Sequence, residues 1–321
     1  AAELGLEAEP ATAALARTSA PGAATVAQER VFAELKRIVA GDGVVASLAL
    51  MDDLGVTAAI LPELHALHGV DQNRYHHADV YAHTVEVLEQ AMSLQADPGA
   101  TFGREHGQAV RAVLAEPLGE DVDRGFGLRI GALLHDVAKP VTLGRRDDGT
   151  PTFLGHDSAG AELSREILTR LRVGDKLKAH VAALARHHLR LGFLVHERPL
   201  PRRALYRYLR TTEPVEVDVT LLSVADRLAT RGRNAQESIA KHLELAREVL
   251  PAALAWRAQG RRAPLIRGDV LAAELELADG RELGRLLAEI DEARFAGEIA
   301  TREEALALAA RLRDEARGAG G

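Results

Sequence analysis

The chain has 321 residues, enough for one large domain or two to three smaller ones. It contains no cysteine, which excludes disulfides and thiolate metal sites and leaves histidines and carboxylates as the only strong metal ligands. The net charge of −7 argues against a surface that attracts nucleic acid everywhere, so any such contact must be a local basic patch.

Hydrophobic residues make up 47% of the chain but aromatics only 3%, so Ala, Leu and Val fill the core. That mix favours helices over sheets, and the expected fold class is all-α with one short β-hairpin. No apolar run reaches the roughly 18 residues of a membrane span, and no basic-then-apolar leader opens the chain. The expectation is a soluble, cytoplasmic protein with no membrane partner. The start at Ala1, without Met, suggests a processed or trimmed piece.

Residues 1–70 read as a helical region. Val31, Leu35, Ile38 and Val39 keep helical spacing from Glu29 to Val39, and a second run, Val44 to Leu54, stops at Gly55. Pro62 marks a new start. A polar lead-in, Asp71 to His77, precedes a helix from about Asp79 to Gln95. Residues 97–108 and 115–127, rich in Gly, Pro and Asp, read as loops, the first of them mobile. Ile130 to Ala138 is an apolar helix, and residues 141–154 form a hairpin turning at Asp148-Gly149. Two helices follow up to Leu194, then Val217 to Ala229 and Asn234 to Ala258. The last piece, Pro264 to Arg313, has starts at Gly268-Asp269 and at Thr301-Arg302-Glu303-Glu304, a capping box. Boundaries near 70 and 233 divide this into a neck-like region (1–70), a metal-binding domain (71–233) and a helical C-terminal region (234–321).

A helical protein without cysteine holds divalent ions with imidazoles and carboxylates on inward helix faces. His83 shares a face with Val80 and Val87, which suits either a hydrogen-bonded core histidine or a ligand. His135-Asp136 follows the apolar run Ile130 to Leu134, and a buried Asp is costly unless paired or bound to a cation. Lys139 lies three residues beyond Asp136. Asp226 stacks on Leu222 and Val219, which puts a carboxylate on a buried stripe. His156 and the His187-His188 doublet complete the set; singly, each could equally be a solvated histidine.

In that order the residues resemble the HD phosphohydrolase superfamily, whose HDxxK core matches His135, Asp136 and Lys139. The resemblance implies one metal held by His83, His135, Asp136 and Asp226. It implies a second held by His156, His187 and His188 with Asp136 bridging. The implied cofactors are one or two divalent transition ions (Fe, Mn, Co, Ni or Zn, with Mg kept open). Asp136 and Lys139 would be catalytic, and the substrate a nucleotide or another phosphoester.

The likeness extends further. Ala27 to Leu35, Leu54-Gly55, Ile60 to Leu64, Tyr75 to Thr84, Leu133 to Thr142, Gly268 to Leu271, Gly280 to Gly284 and Ala296 to Ile299 resemble the bacterial tRNA nucleotidyltransferase (CCA-adding) and poly(A) polymerase family. They match its neck, HD and tail regions. That family's catalytic head, with its Gly-Ser motif and paired aspartates, is not matched; Asp121-Val122-Asp123 has the spacing but reads as a solvated turn. The chain begins where the head would end. It is expected to be the rear portion of a longer enzyme or a headless relative that adds no nucleotides alone. The resemblance also implies a tRNA partner. Arg202, Arg203, Arg207 and Arg210 form one candidate phosphate-binding patch, and Arg227, Arg231 and Arg233 another. Such arginines can equally be solvated helix surface.

Overall fold

Helices dominate the computed structural model, which describes residues 2, 5–72, 79–119, 121–231, 235–260, 263–277 and 280–318. The sheets among the described residues are two short antiparallel ladders, so the fold is all-α with a small hairpin. The chain divides into two compact units. One combines Ala1–Val195 with Pro214–Leu254, and the other combines His196–Glu213 with Ala255–Gly321. Among the described residues no helix is long and apolar enough to cross a membrane.

In the first unit the Arg124–Leu134 helix is the hub, packed against the helices Val80–Ala96, Asp175–His187 and Glu216–Leu228. Its glycines permit that closeness. A Cβ on Gly131 would lie 2.5 Å from Cδ1 and 3.3 Å from Cβ of Leu184, itself fully buried. Gly131→Val is therefore expected to lower stability by about 1–3 kcal/mol through overpacking, which a urea melt would measure.

The second unit has its own core, in which Leu271, Leu286, Ile290 and Ala309 are among the buried residues. Its last helix, Arg302–Gly318, starts as the capping box requires. Glu304 N–H donates to Thr301 Oγ1 at 3.2 Å, and Thr301 N–H donates back to Glu304 Oε2 at 3.0 Å.

Three local expectations are corrected. Residues 97–108 are not a loop: helices Pro98–Phe102 and Arg104–Leu114 cover most of them, and Asp97 caps the first by accepting from Ala100 N–H. Within 115–127, Pro117–Gly119 pairs with Val122–Asp123, and Asp123 caps the hub helix by accepting from Phe126 N–H at 2.8 Å. Asp97 with Pro98 in the first stretch, and Asp123 in the second, are helix-start signals rather than loop markers. Finally, the apolar helix ends at Leu134, not Ala138. Residues 135–140 continue as tighter turns, with Val137 N–H donating to Leu134 O and Lys139 N–H to Asp136 O. The hairpin forms as expected, with Gly144 opposite Thr152 and Gly149 at φ 80°. Part of the lead-in (residues 73–78, including His76 and His77) and Arg233 lie outside the described residues.

Candidate metal centre

All the predicted ligands except His187 sit where helix geometry can aim them inward. His83 lies one turn into the Val80–Ala96 helix, whose N-cap Asp79 accepts from Ala82 N–H at 2.9 Å. Asp226 lies near the end of the Glu216–Leu228 helix. His135 and His188 each occupy the position just past a helix C-terminus, and His156 opens the His156–Arg170 helix after the left-handed Gly155. The last carbonyls of a helix have no intrahelical partner. His135 Nδ1–H donates to Ala132 O at 2.8 Å and His188 Nδ1–H to Ala185 O at 2.7 Å. His156 Nδ1–H likewise donates to Phe153 O at 2.6 Å. A carbonyl can only accept, so in all three rings Nδ1 carries a proton, which leaves Nε2 as the nitrogen available to a metal.

Those Nε2 atoms converge on Asp136. Its Oδ2 lies 3.1 Å from His135 Nε2 and 4.0 Å from His83 Nε2; its Oδ1 lies 3.3 Å from His156 Nε2 and 3.7 Å from His188 Nε2. Asp226 Oδ1 is 3.0 Å from His83 Nε2. His83, His135 and Asp136 form one group close enough for a single ion, and Asp136, His156 and His188 form a second. Lys139 Nζ sits 2.6 Å from Asp136 Oδ2 and donates to Gln72 Oε1 at 2.7 Å, with the Phe153 ring 5.4 Å away.

The centre of the cluster is almost wholly buried, with His135 0% and Asp136 and His83 each 2% exposed, while the Asp226 side chain is 26% exposed. Burial alone would raise the Asp136 carboxyl pKa, but the charges of His135 and Lys139 outweigh it and hold Asp136 well below the usual carboxylate range. Asp226 behaves alike: burial opposes ionisation, and the hydrogen bond from His83 overrides it. Burial also works against protonating His135, yet Asp136 beside it shifts the balance upward. His188 is pushed down to about 4 by burial and by its neighbour His135.

The donor chemistry fits divalent transition ions. The Nε2 atoms of His156 and His188 face each other at 3.3 Å with their protons committed elsewhere, and the buried His135 Nε2 makes no hydrogen bond of acceptable geometry. Two lone pairs at that distance repel unless a cation or an extra proton lies between them. Imidazole and carboxylate donors suit Fe, Mn, Co, Ni and Zn.

Not every predicted residue joins. Asp226, although beside His83, falls outside both groups, and so does His187, which accepts from Arg190 Nε–H at 2.9 Å; burial and Arg190 push His187 down to about 4. In the second unit, Arg203 forms a two-pronged pair with Glu298, Arg207 binds Glu292, Arg210 binds Glu213, and Arg202 donates to Phe295 O. In the first unit, Arg231 donates to Leu228 O. Most of the proposed arginine patches are thus used in internal pairing.

The centre opens into a cavity of about 730 Å³ lined by Lys139, Arg146, Phe153, Leu154, Phe193 and Arg227, among others. Leu154 is 87% exposed and Phe193 64%. Sequence reasoning missed Gln72, Arg146 and Phe193. Gln72 and Phe193 carry no local signal, but Arg146 stands beside the predicted hairpin turn, where a cation could have been noticed.

Two family models match the chain: "HD domain" over residues 80–231, and "Probable RNA and SrmB-binding site of polymerase A" over residues 5–67. Among curated proteins, the CC-adding tRNA nucleotidyltransferase of Thermus thermophilus is 32% identical over 287 residues, 88% of this chain and 56% of its own length. The A-adding tRNA nucleotidyltransferase of Deinococcus radiodurans is 32% identical over 293 residues, 91% of this chain and 60% of its own. The multifunctional CCA protein of Actinobacillus pleuropneumoniae is 26% identical over 200 residues, 61% of this chain and 42% of its own. The chain therefore spans somewhat more than half the length of the first two relatives.

Proposed function

Because the chain carries an HD domain and resembles the rear portion of bacterial tRNA nucleotidyltransferases, we propose that its buried centre hydrolyses a phosphoester on a nucleotide or at an RNA end, phosphomonoester or 2′,3′-cyclic phosphodiester, with a divalent metal as cofactor. The observation that carries this reading is the convergence of His135, His156 and His188 Nε2 on Asp136, with each Nδ1 committed to a carbonyl. His83, His135, Asp136 and Asp226 would hold one ion, and His156 and His188 a second, with Asp136 bridging. When bound, such ions supply Lewis acidity that makes a water nucleophilic near neutral pH and steadies charge on phosphoryl oxygens.

The chain's own residues do the rest. Lys139 presents a point charge to the phosphate, with Gln72 fixing its Nζ. Arg146 and Arg227 line the same cavity and favour an anionic substrate. The exposed Phe193 and Leu154 offer a surface on which a nucleobase can stack or pack, which favours nucleotides over small phosphoesters.

Turnover of 2′,3′-cyclic nucleotides against p-nitrophenyl phosphate tests this. Activity should vanish with a chelator, return with Mn, Co or Ni, and favour the nucleotide; no turnover above background with any of these ions would refute it. Lys139→Met is expected to lower kcat about 10²–10³-fold while metal content stays constant.

A second reading is favoured by the match of residues 5–67 to an RNA-binding region and by the tRNA-acting relatives. The chain then holds tRNA for a larger enzyme, and the HD centre is accessory. That reading predicts tRNA affinity falling steeply with salt, and no hydrolysis.

A further inference from the structure

Outside the HD centre, the described residues hold another group whose ligand atoms lie close enough for one ion: Asp52, His65 and His68. Asp52 sits near the end of the Val44–Asp53 helix, His65 closes the Pro62–His65 helix, and His68 follows in the next turn. His68 Nε2 lies 2.9 Å from Asp52 Oδ2, and His65 Nδ1 lies 3.4 Å from Asp52 Oδ1. Both imidazoles thus turn a ring nitrogen toward one carboxylate, each toward a different oxygen.

The group lies at the surface, with the His65 side chain 49% and that of His68 35% exposed, but its surroundings fix His68 in place. His68 is clamped by the Tyr81 ring, stacked at 3.8 Å between centroids and 25° between planes. Asp79, 3.9 Å from His68 Nδ1, supplies a second carboxylate on the ring's far side and is itself fixed by Gly69 N–H and Ala82 N–H. Metal-bound histidines are oriented by such outer carboxylates. Independently, the Tyr81 hydroxyl is buried in a residue only 9% exposed and has no hydrogen-bond partner among the described residues. An orphaned hydroxyl on the ring stacked against His68 can serve a water that completes an ion's shell.

We propose that Asp52, His65 and His68 form a separate site for a transition-metal ion of the Zn²⁺ class, held by two imidazoles and one carboxylate, with Asp79 and Tyr81 in support. Three protein ligands of these types suit Zn²⁺, Co²⁺ or Ni²⁺ far better than Mg²⁺ or Ca²⁺. Asp52 and His65 lie within the matched RNA-binding region and His68 one residue past it, while Tyr81 lies at the start of the matched HD domain and Asp79 one residue before it. An ion there acts as a clip between the two segments and takes no part in hydrolysis.

The probe is Zn²⁺ alone, with bound equivalents measured after exhaustive dialysis. In the otherwise native chain, His65→Ala with His68→Ala is expected to remove one equivalent and leave phosphoester turnover within about twofold, as for distant, independent sites. In an Asp136→Ala background one equivalent should persist, and adding the two histidine substitutions should abolish it. Zn²⁺ content unchanged by the histidine pair, or no Zn²⁺ bound by Asp136→Ala that still folds, overturns the proposal. Neither result bears on whether the HD centre is catalytic.

Discussion

Asp136→Ala is expected to abolish metal binding at both groups of the HD centre together and to lower the proposed hydrolysis by at least about 10³-fold. The reason is geometric. Oδ2 faces His135 and His83, Oδ1 faces His156 and His188, and no other described carboxylate faces both groups. Removing it leaves buried imidazoles opposed lone pair to lone pair. His156→Ala with His188→Ala should act differently, because His83, His135, Asp136 and Asp226 stay in place: one ion is lost and the other retained. Metal analysis of the two variants separates these outcomes. If Asp136→Ala keeps its full metal content and activity, the proposed bridging role is wrong.

Arg124→Met is expected to cost about 3–5 kcal/mol, the largest stability loss anticipated for a single substitution here. Arg124 is 5% exposed and binds both oxygens of the fully buried Asp218, with Nε 3.1 Å from Oδ1, and it also donates to Pro214 O at 2.8 Å. Without the guanidinium, Asp218 is left with His180, whose Nε2 is 3.5 Å away and 3% exposed at the side chain. The pair ties the first turn of the hub helix to the Glu216–Leu228 helix, which also carries Asp226. Arg124→Met with Asp218→Leu should therefore recover most of the loss, since a buried ion pair replaced by packed apolar groups is often neutral. Denaturant midpoints of the single and double variants check this. Equal losses in both would show that packing rather than the charge sets the cost.

Much of this was legible in the sequence because helical periodicity is a strong local signal. His83 beside Val80 and Val87, and Asp226 beside Leu222 and Val219, were placed on buried stripes by spacing alone. The HD pair was legible as a polar dipeptide after an apolar run, but its setting was not. The helix ends at Leu134, and that early end brings His135 Nδ1 to the carbonyl of Ala132. The doublet shows the limit most clearly. His187 and His188 are neighbours, so only one can face the cluster. The choice follows from Val181 and Leu184, which put His188 on the buried face. That inference was available from the spacing. The ion pairs of Arg203 and Arg207 with Glu298 and Glu292 were not, because their partners lie more than eighty residues away in sequence.

The most direct test is anomalous diffraction at a transition-metal edge from crystals of protein purified without chelator. Two peaks are predicted within coordination distance of Asp136, one beside His83 and His135 and one between His156 and His188. An ordered Asp136 with no peak near it, and with His156 and His188 linked directly by a proton, would contradict the account.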